Sequence, residues 1–286
     1  APDATRMLLT GDVDVKAAID AVNQGQIFRF LTKPCPPEVL RQAFEAAVEQ
    51  HRLVTAERVL LEETLHGSIQ ALVDVLALTN PAAFGRATRL KELVAAMADK
   101  LGLEHRWQFA VAAMLSQIGS IVLPAETAER HYYGRPLSPE EQLMVSRSRA
   151  VVEQLLGKIP RLEVVRGILS TYFLPFRPTP PNADATRRAV DQGANLLRVA
   201  FDFDSLEMQG QAATLALDTL RGRLDRYDPR ALEVLGALKT GEAVQVAIRE
   251  LPMSAVREGM VFAEDVKTGD GVLLAARGYV VTAGFV

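Results

Sequence analysis

The chain has 286 residues, of which 49% are hydrophobic and 23% are charged, and its net charge of -3 corresponds to a pI near 5.9. This composition excludes an intrinsically disordered protein, and the length favours two compact domains over one. The acidic balance argues against a nucleic-acid partner, and the lack of a long uncharged apolar run argues against a membrane-spanning helix.

The single cysteine, Cys35, excludes an intrachain disulfide and is consistent with a reducing compartment. We therefore expect a cytoplasmic protein, in which Cys35 has a structural role at the start of a helix. The chain begins Ala-Pro-Asp and ends Thr-Ala-Gly-Phe-Val. We expect it to be a segment of a longer polypeptide.

The first 35 residues carry the pattern of a parallel α/β unit. Residues 6–10 are a short apolar run closed by Gly11, which is typical of a buried strand. Residues 12–23 have apolar side chains at helical spacing, and residues 27–31 form a second strand-like run. A new helix is expected from Pro36, because proline lacks the N–H that the first helical turn leaves unpaired. The unit is too short to be a whole domain.

A helical pattern then continues almost without interruption from Glu38 to Thr79. Apolar residues recur at steps of four and three, which is typical of a coiled coil or a contact between two helices. The predicted seam consists of Leu40, Phe44, Ala47, Val54, Leu61 and Leu65. We interpret this region as a signalling helix that also pairs two copies of the chain into a homodimer. The alternative is an ordinary helix pair with a break near His51.

Most of the remaining chain is predicted to be helical. The predicted helices cover residues 86–101, 107–118, 185–200, 207–221 and 230–238, with a further helix starting at Ser138. From residue 243 the pattern changes to that of strands, at 244–251, 260–266 and 272–276, with a hairpin turn at 268–271. This part is expected to be a small, incomplete β appendage.

The N-terminal residues resemble the C-terminal half of the receiver domain of bacterial two-component response regulators, which has a flavodoxin-like fold. Leu8-Leu9-Thr10-Gly11 is similar to the fourth strand of that domain with its threonine switch position. Phe30-Leu31-Thr32-Lys33-Pro34 is similar to the fifth strand with its Lys-Pro pair. A hydroxyl and a lysine at neighbouring strand ends can both reach a phosphoryl group on an aspartate.

The resemblance therefore implies that Thr10 and Lys33 contact a phosphoryl group. It places the phospho-accepting aspartate before Ala1, so that this segment by itself cannot carry out the phosphoryl chemistry. It also implies an upstream sensor histidine kinase as a partner.

The helical region from residue 80 to 240 resembles the HD-GYP family, whose members hydrolyse cyclic di-GMP at a site with two or three metal ions. Residues 84–90 are similar to the Gly-His-Ser-x-Arg-Val segment of that family. Residues 112–124 are similar to its Ala-Leu-Leu-His-Asp-Ile-Gly-Lys-Ile-x-Ile-Pro segment. The helix start at 137–141 and the segment 199–206 match further parts of the same frame.

The active-site residues of that family are replaced in this chain. The positions that match its ligands and its lysine carry Arg86, Ser116, Gln117, Ser120, Ser148 and Phe201. Neutral serine and glutamine are poor ligands for divalent ions, and a guanidinium group repels them. The His-His pair of that family is missing around residues 170–172. Residues 173–175 lie near the position of its Gly-Tyr-Pro loop.

The histidines of the chain do not compensate for these replacements. No histidine matches a ligand position; the four are His51, His66, His105 and His131. We therefore expect a degenerate HD domain without a metal, a cofactor or catalysis by the mechanism of the family.

Two interpretations of Arg86 and Arg89 remain open from the sequence. These residues could bind an anion such as a nucleotide phosphate, or Arg86 could neutralise acidic neighbours. Asp202 and Asp204 are expected to be solvated or paired with such arginines. An open cationic pocket at Arg86 would favour a sensor, and a filled apolar one would favour an interaction module.

The predicted fold class is a multi-domain protein. A partial α/β receiver fragment occupies residues 1–35, a long signalling and dimerisation helix 36–79, an all-α HD-type domain 80–240 and the β appendage 241–286. The predicted function is that of a response regulator in a phosphorelay, whose inactive HD-type domain acts by dimerisation and by binding a downstream signalling protein. The alternatives are a nucleotide-sensing pseudo-enzyme and an active metal-dependent cyclic di-GMP phosphodiesterase.

Overall fold

The computed structural model describes residues 4–11, 27–240, 248–269, 273–282 and 285, and it is mostly helical. Two compact units are present, Ala1–Ser68 and Ile69–Val286. The division between them falls inside a long helix, whereas the sequence pattern placed the boundary after residue 79. Within the described residues, no helix combines the length and the apolar content needed to cross a membrane.

Two parallel strands form the described sheet of the first unit. Strands β1 (Met7–Thr10) and β2 (Arg29–Thr32) pair in a register that sets Thr10 opposite Thr32. The prediction of two parallel strands is confirmed, with β2 starting two residues later than expected. The predicted helix at 12–23 lies outside the described residues.

Helix α1 (Pro37–Thr79) continues through His51 without the break that the alternative interpretation required. The residues of the predicted seam on this helix differ in how exposed they are. Phe44 and Val54 are exposed, and Leu40 and Leu65 are half-buried.

Ala47, in contrast, is buried, as is Ala43 one turn earlier. Its side chain is therefore already covered within a single copy of the chain, and the assignment of Ala47 to the dimer seam stays a prediction. The side chain of Leu61 lies outside the described part of the chain.

The second unit is built from helices, as predicted. These are α2 (Pro81–Lys100), α3 (Arg106–Leu115), α4 (Ala125–Tyr132), α5 (Pro139–Leu156), α6 (Glu163–Thr171), α7 (Ala185–Met208), α8 (Ala213–Arg221) and α9 (Pro229–Thr240). Short 3-10 turns lie at Ile118–Val122 and Leu224–Arg226. Helix α7 continues past residue 200, where the sequence pattern ended it, because Phe203 and Leu206 continue its buried face.

Polar side chains fix where several of these helices begin. The side-chain oxygen of Asn80 accepts a hydrogen bond from the amide of Ala83 at 3.0 Å. Ser138 and Glu141 form a reciprocal capping box at the start of α5, which confirms the helix start predicted at Ser138. Such caps satisfy amide groups that have no partner inside the helix, and each stabilises the helix by about 1 kcal/mol.

Helix α7 packs against α2, α3 and α6 and forms the centre of the unit. Gly193 permits the closest approach, because a Cβ atom there would lie 2.4 Å from Ile168 Cδ1 and 2.7 Å from Phe109 Cδ1. This packing positions the polar side chains on the C-terminal half of α7, where the candidate site lies.

The C-terminal residues pack onto α2 in the same unit. Strands β3 (Val266–Lys267) and β4 (Leu273–Ala275) pair antiparallel, and an isolated bridge joins Val261 to Val280. The strands are shorter than predicted, and residues 248–251 form none. Residues 244–247 of the predicted strand and residues 270–271 of the predicted turn lie outside the described residues.

Gly85 of α2 lies directly against this appendage, since a Cβ atom there would be 2.8 Å from the Arg277 carbonyl oxygen. The hydroxyl group of Tyr133 donates to Asp265 Oδ2 at 2.6 Å. The same carboxylate accepts a hydrogen bond from the Arg277 amide at 2.8 Å. These contacts attach the appendage to the helical core.

Candidate functional site

A cavity of about 240 Å³ opens in the second unit. Its walls come from the C-terminal end of α3, the 3-10 turn that follows it, α4, α5, the end of α6, the C-terminal half of α7 and the turn at Leu224–Arg226. Residues that are far apart in the sequence thus surround one space.

Five of the six predicted active-site positions line this cavity, namely Ser116, Gln117, Ser120, Ser148 and Phe201. The sixth residue, Arg86, lies behind Phe201, with its guanidinium carbon 3.9 Å from the centre of the phenyl ring. The motif spacings therefore bring these positions together, and their role stays a prediction.

The hydroxyl groups in the cavity wall bond mainly to their own helices. Ser116 Oγ donates to the Ala113 carbonyl at 2.7 Å, and Ser148 Oγ donates to the Val145 carbonyl at 2.8 Å. Gln117 donates its amide to Ser116 Oγ at 3.0 Å. Ser120 Oγ is buried and has no hydrogen-bond partner within the described part of the chain.

Arg86, Arg89 and Asp204 form a buried charged triad beside the cavity. Arg86 is 1% exposed and Asp204 is 3% exposed. Arg89 contacts the carboxylate in a bidentate manner, with Nε 2.6 Å from Oδ1 and Nη2 3.1 Å from Oδ2. Arg86 Nε lies 3.1 Å from Oδ2 but outside hydrogen-bond geometry.

The triad confirms that Arg86 neutralises an acidic neighbour. Burial lowers the pKa of Arg86, and the charge of Asp204 opposes that effect. For Arg89, burial also acts to lower the pKa, but the charge and hydrogen bonds of Asp204 outweigh it and raise the pKa overall. The raised pKa keeps Arg89 cationic. Arg86 is cationic as well, because a guanidinium group is not deprotonated in proteins.

Asp202 faces the cavity and is engaged by two neighbours. Its Oδ2 accepts hydrogen bonds from Arg226 Nε at 2.8 Å and from the Tyr227 hydroxyl at 2.7 Å. Burial and the adjacent carboxylate raise the pKa of Tyr227 to about 12, so that the phenol stays protonated. Asp202 thus has a partner, but Arg226 was not among the arginines considered from the sequence.

Two further arginines line the cavity. Arg198 is 4% exposed and donates to Asn195 Oδ1 at 2.7 Å and to the Thr171 carbonyl at 3.2 Å. Arg149 is exposed, with its guanidinium carbon 4.1 Å from the centre of the Phe173 ring. Sequence reasoning missed both; the available signals were that Arg149 follows Ser148 and that Arg198 precedes Asp202 by one helical turn.

His131 also lines the cavity, although it matches no family position. Burial lowers the pKa of its imidazole to about 4, and the charges of Arg86 and Arg149 act in the same direction. The imidazole is therefore neutral near pH 7. His105 precedes α3 and does not line the cavity, and His51 is an exposed residue of α1 in the first unit.

The sequence profile of the HD domain matches residues 70–231, which is more than half of the chain. The chain belongs to the HD-domain family. No curated protein and no solved structure matches it. The matched region begins within α1, so the last turns of that helix belong to the HD domain.

The HD domain of this chain does not offer a donor set that fits a metal centre. The described residues contain no group of three or more His, Cys, Asp or Glu side chains able to hold a metal ion. The cavity presents one imidazole and one carboxylate, and the carboxylate is already bonded to Arg226. Three cationic side chains in the wall would repel a divalent ion further.

The predicted phosphoryl-contact residues lie in the first unit. Thr10 ends β1, and Lys33 follows β2 directly. The Lys33 amide donates to the Thr10 carbonyl at 2.7 Å, so the two backbones are adjacent at one edge of the sheet. The sheet therefore brings together the two residues that the sequence singled out.

Proposed function

We propose that this chain functions as a response regulator whose HD domain works without metal-dependent hydrolysis. A phosphoryl signal received in the first unit is passed along α1 to the HD domain. The HD domain then acts by pairing with a second copy and by binding a downstream signalling protein. The input partner in this proposal is a sensor histidine kinase.

The chemistry of the cavity wall carries this proposal. The positions that correspond to ligands in the HD-GYP family surround a common space, but they present hydroxyl, amide and phenyl groups. A hydrolytic metal centre requires deprotonated or neutral donors that hold divalent ions and lower the pKa of bound water. Arg86 and Arg89 neutralise Asp204, which removes another acidic side chain from metal binding.

The receiver part of the proposal is supported by the first unit. Parallel pairing of β1 and β2 brings the Thr10 and Lys33 backbones together at the carboxyl edge of the strands. Ligand and phosphoryl sites of open parallel sheets lie at this edge. Helix α1 begins only four residues after Lys33, so it is the nearest rigid element for transmitting a change at that edge.

The purified chain is expected to carry no stoichiometric metal and to leave cyclic di-GMP intact. The measurements are elemental analysis after dialysis and product formation with added Mn²⁺ or Fe²⁺. A heat-inactivated sample sets the background for hydrolysis. Retained iron, manganese or zinc at one ion per chain, or turnover above the background, would overturn the metal-free proposal.

Pairing of two copies is proposed through the predicted seam of α1, to which Val54 belongs. Val54 is 53% exposed, and its neighbour Leu53 is 58% exposed. Because successive residues in a helix point about 100° apart, only Val54 lies on the predicted seam. A two-fold pair that uses the same surface on both copies is the commonest arrangement for such a contact.

Val54→Asp is expected to weaken the dimer, because it places an unpaired charge in an apolar contact. A loss of about 2 kcal/mol would raise the dimer dissociation constant roughly thirtyfold. Leu53→Asp is the matched control, since it adds the same charge one residue away on another face. Sedimentation equilibrium measures both. Equal dissociation constants for the two variants, or a monomeric wild type, would refute the seam.

A further inference from the structure

The wall of the HD-domain cavity carries an excess of positive charge. Three arginines, Arg149, Arg198 and Arg226, face one carboxylate, Asp202, while His131 is neutral near pH 7. Arg226 already pairs with Asp202. Arg149 and Arg198 are therefore left without an ion-pair partner of their own in the cavity wall.

The bonding of these two arginines supports that conclusion. In the part of the chain that the structure describes, neither Arg149 nor Arg198 forms an ion pair with a carboxylate. Arg198 is buried, bonds only to a neutral amide and a backbone carbonyl, and has an Nε atom without a hydrogen-bond partner there. A buried guanidinium group without an ion-pair partner is costly, and an anion in the cavity would remove much of that cost.

A second observation comes from Ser120. Its Oγ atom is also buried without a partner among the described residues, and Ser120 lines the same cavity. Unsatisfied buried polar groups in native proteins often mark the place of an ordered water molecule or an ion. Hydroxyl and guanidinium groups donate hydrogen bonds to phosphate oxygens, and here both kinds of donor surround one space.

We propose that this cavity binds a small phosphorylated ligand through Arg149 and Arg198, with Ser120 as an additional donor. Its volume of about 240 Å³ lies below the roughly 300–1,000 Å³ of pockets for drug-sized ligands. The ligand is therefore a phosphomonoester with a small organic part, and inorganic phosphate is the minimal probe. The proposal rests on the proposed function only in requiring that the cavity holds no metal.

Arg149→Gln is the variant that tests this assignment. Arg149 is exposed and makes no ion pair in the described residues, so its replacement leaves the helical core intact. Arg198 is less suitable, because its removal would also leave Asn195 and the Thr171 carbonyl without partners. Arg147→Gln is the matched control, since Arg147 is an exposed residue of the same helix that does not line the cavity.

Binding is measured by isothermal titration calorimetry of the whole chain with inorganic phosphate, ribose 5-phosphate and ribose, at constant ionic strength. We expect both phosphates to bind in saturable fashion and ribose not to bind. Arg149→Gln is expected to raise the dissociation constant for phosphate about tenfold or more, because hydrogen bonds between charged groups contribute at least about one order of magnitude. Arg147→Gln should change the dissociation constant for phosphate by no more than about twofold, because it removes an exposed charge outside the site.

Tighter binding of ribose 5-phosphate than of inorganic phosphate would identify the organic phosphate as the ligand class, and equal binding would identify the free anion. Absence of saturable binding, or equal effects of the two arginine substitutions, would overturn the inference. A parallel titration with Mn²⁺ separates it from the proposed function. Phosphate binding that requires Mn²⁺ would contradict the metal-free HD domain, whereas no binding with or without Mn²⁺ would contradict the phosphate site alone.

Discussion

Replacing Asp204 with asparagine is expected to lower the free energy of unfolding by about 3–5 kcal/mol, the largest effect of any single change considered for this protein. Asparagine preserves the size of the side chain but removes its charge. The guanidinium groups of Arg86 and Arg89 would then lie close together in a buried place without a counter-charge. Breaking a buried ion pair is costly for this reason, even where the intact pair contributes little net stability.

Urea denaturation followed by circular dichroism measures this loss. The control is Asp99→Asn, which removes one partner of the exposed ion pair between Asp99 and Arg106. That change should cost less than about 1 kcal/mol, since exposed pairs are screened by water. If Asp204→Asn lowers the free energy of unfolding no more than Asp99→Asn does, then water reaches the triad. The description of the triad as a buried charged cluster would then be wrong.

Gly85→Val is expected to destabilise the second unit by about 3 kcal/mol, near the upper end of the cost of overpacking a core. The added Cβ atom would lie 2.8 Å from the Arg277 carbonyl oxygen and 3.0 Å from Ala276 Cβ. These atoms belong to the backbone and to a short side chain, so they cannot rotate away. The appendage must shift outward, which exposes the buried side chains of Ala276 and Tyr279.

The matched control for this prediction is Gly67→Val in α1. A Cβ atom at Gly67 meets nothing within 4 Å among the described atoms. At this position valine has a helix propensity at most a few tenths of a kcal/mol more favourable than that of glycine. Little change in the free energy of unfolding is therefore expected. Urea denaturation is combined with limited proteolysis near the appendage. Equal stability and equal cleavage rates for the two variants would show that the appendage does not pack on Gly85.

The helical architecture of the HD domain was predictable because its signals are local. The capping box at Ser138 and Glu141 and the helical spacing of apolar residues can be read along a few turns of chain. The positions around the cavity were predictable for another reason. The resemblance supplied long-range information, which brought Ser116, Ser148 and Phe201 together although no local pattern connects them.

The residues that the sequence did not reveal depend on tertiary contacts alone. Arg198 and Arg226 look like ordinary charged residues of amphipathic segments, and only the packing of α7 turns them toward a common cavity. The burial of Ala47 was not predictable for a similar reason, because a seven-residue spacing does not distinguish a surface that faces a second copy from one that is covered within the same copy. The end of α7 was set too early, since its buried face continues to Leu206 without a break in the chain.

The hydrogen bond from Arg89 to the Arg277 carbonyl joins residues that are 188 positions apart. On the ribosome, at about 5–20 residues per second, Arg277 is therefore made roughly 10–40 s after Arg89. During that interval the surface of α2 around Ala82 and Gly85 has no cover from the chain that will later enclose it. The nascent HD domain thus presents an apolar surface to chaperones and to other nascent chains until the strands of the appendage emerge.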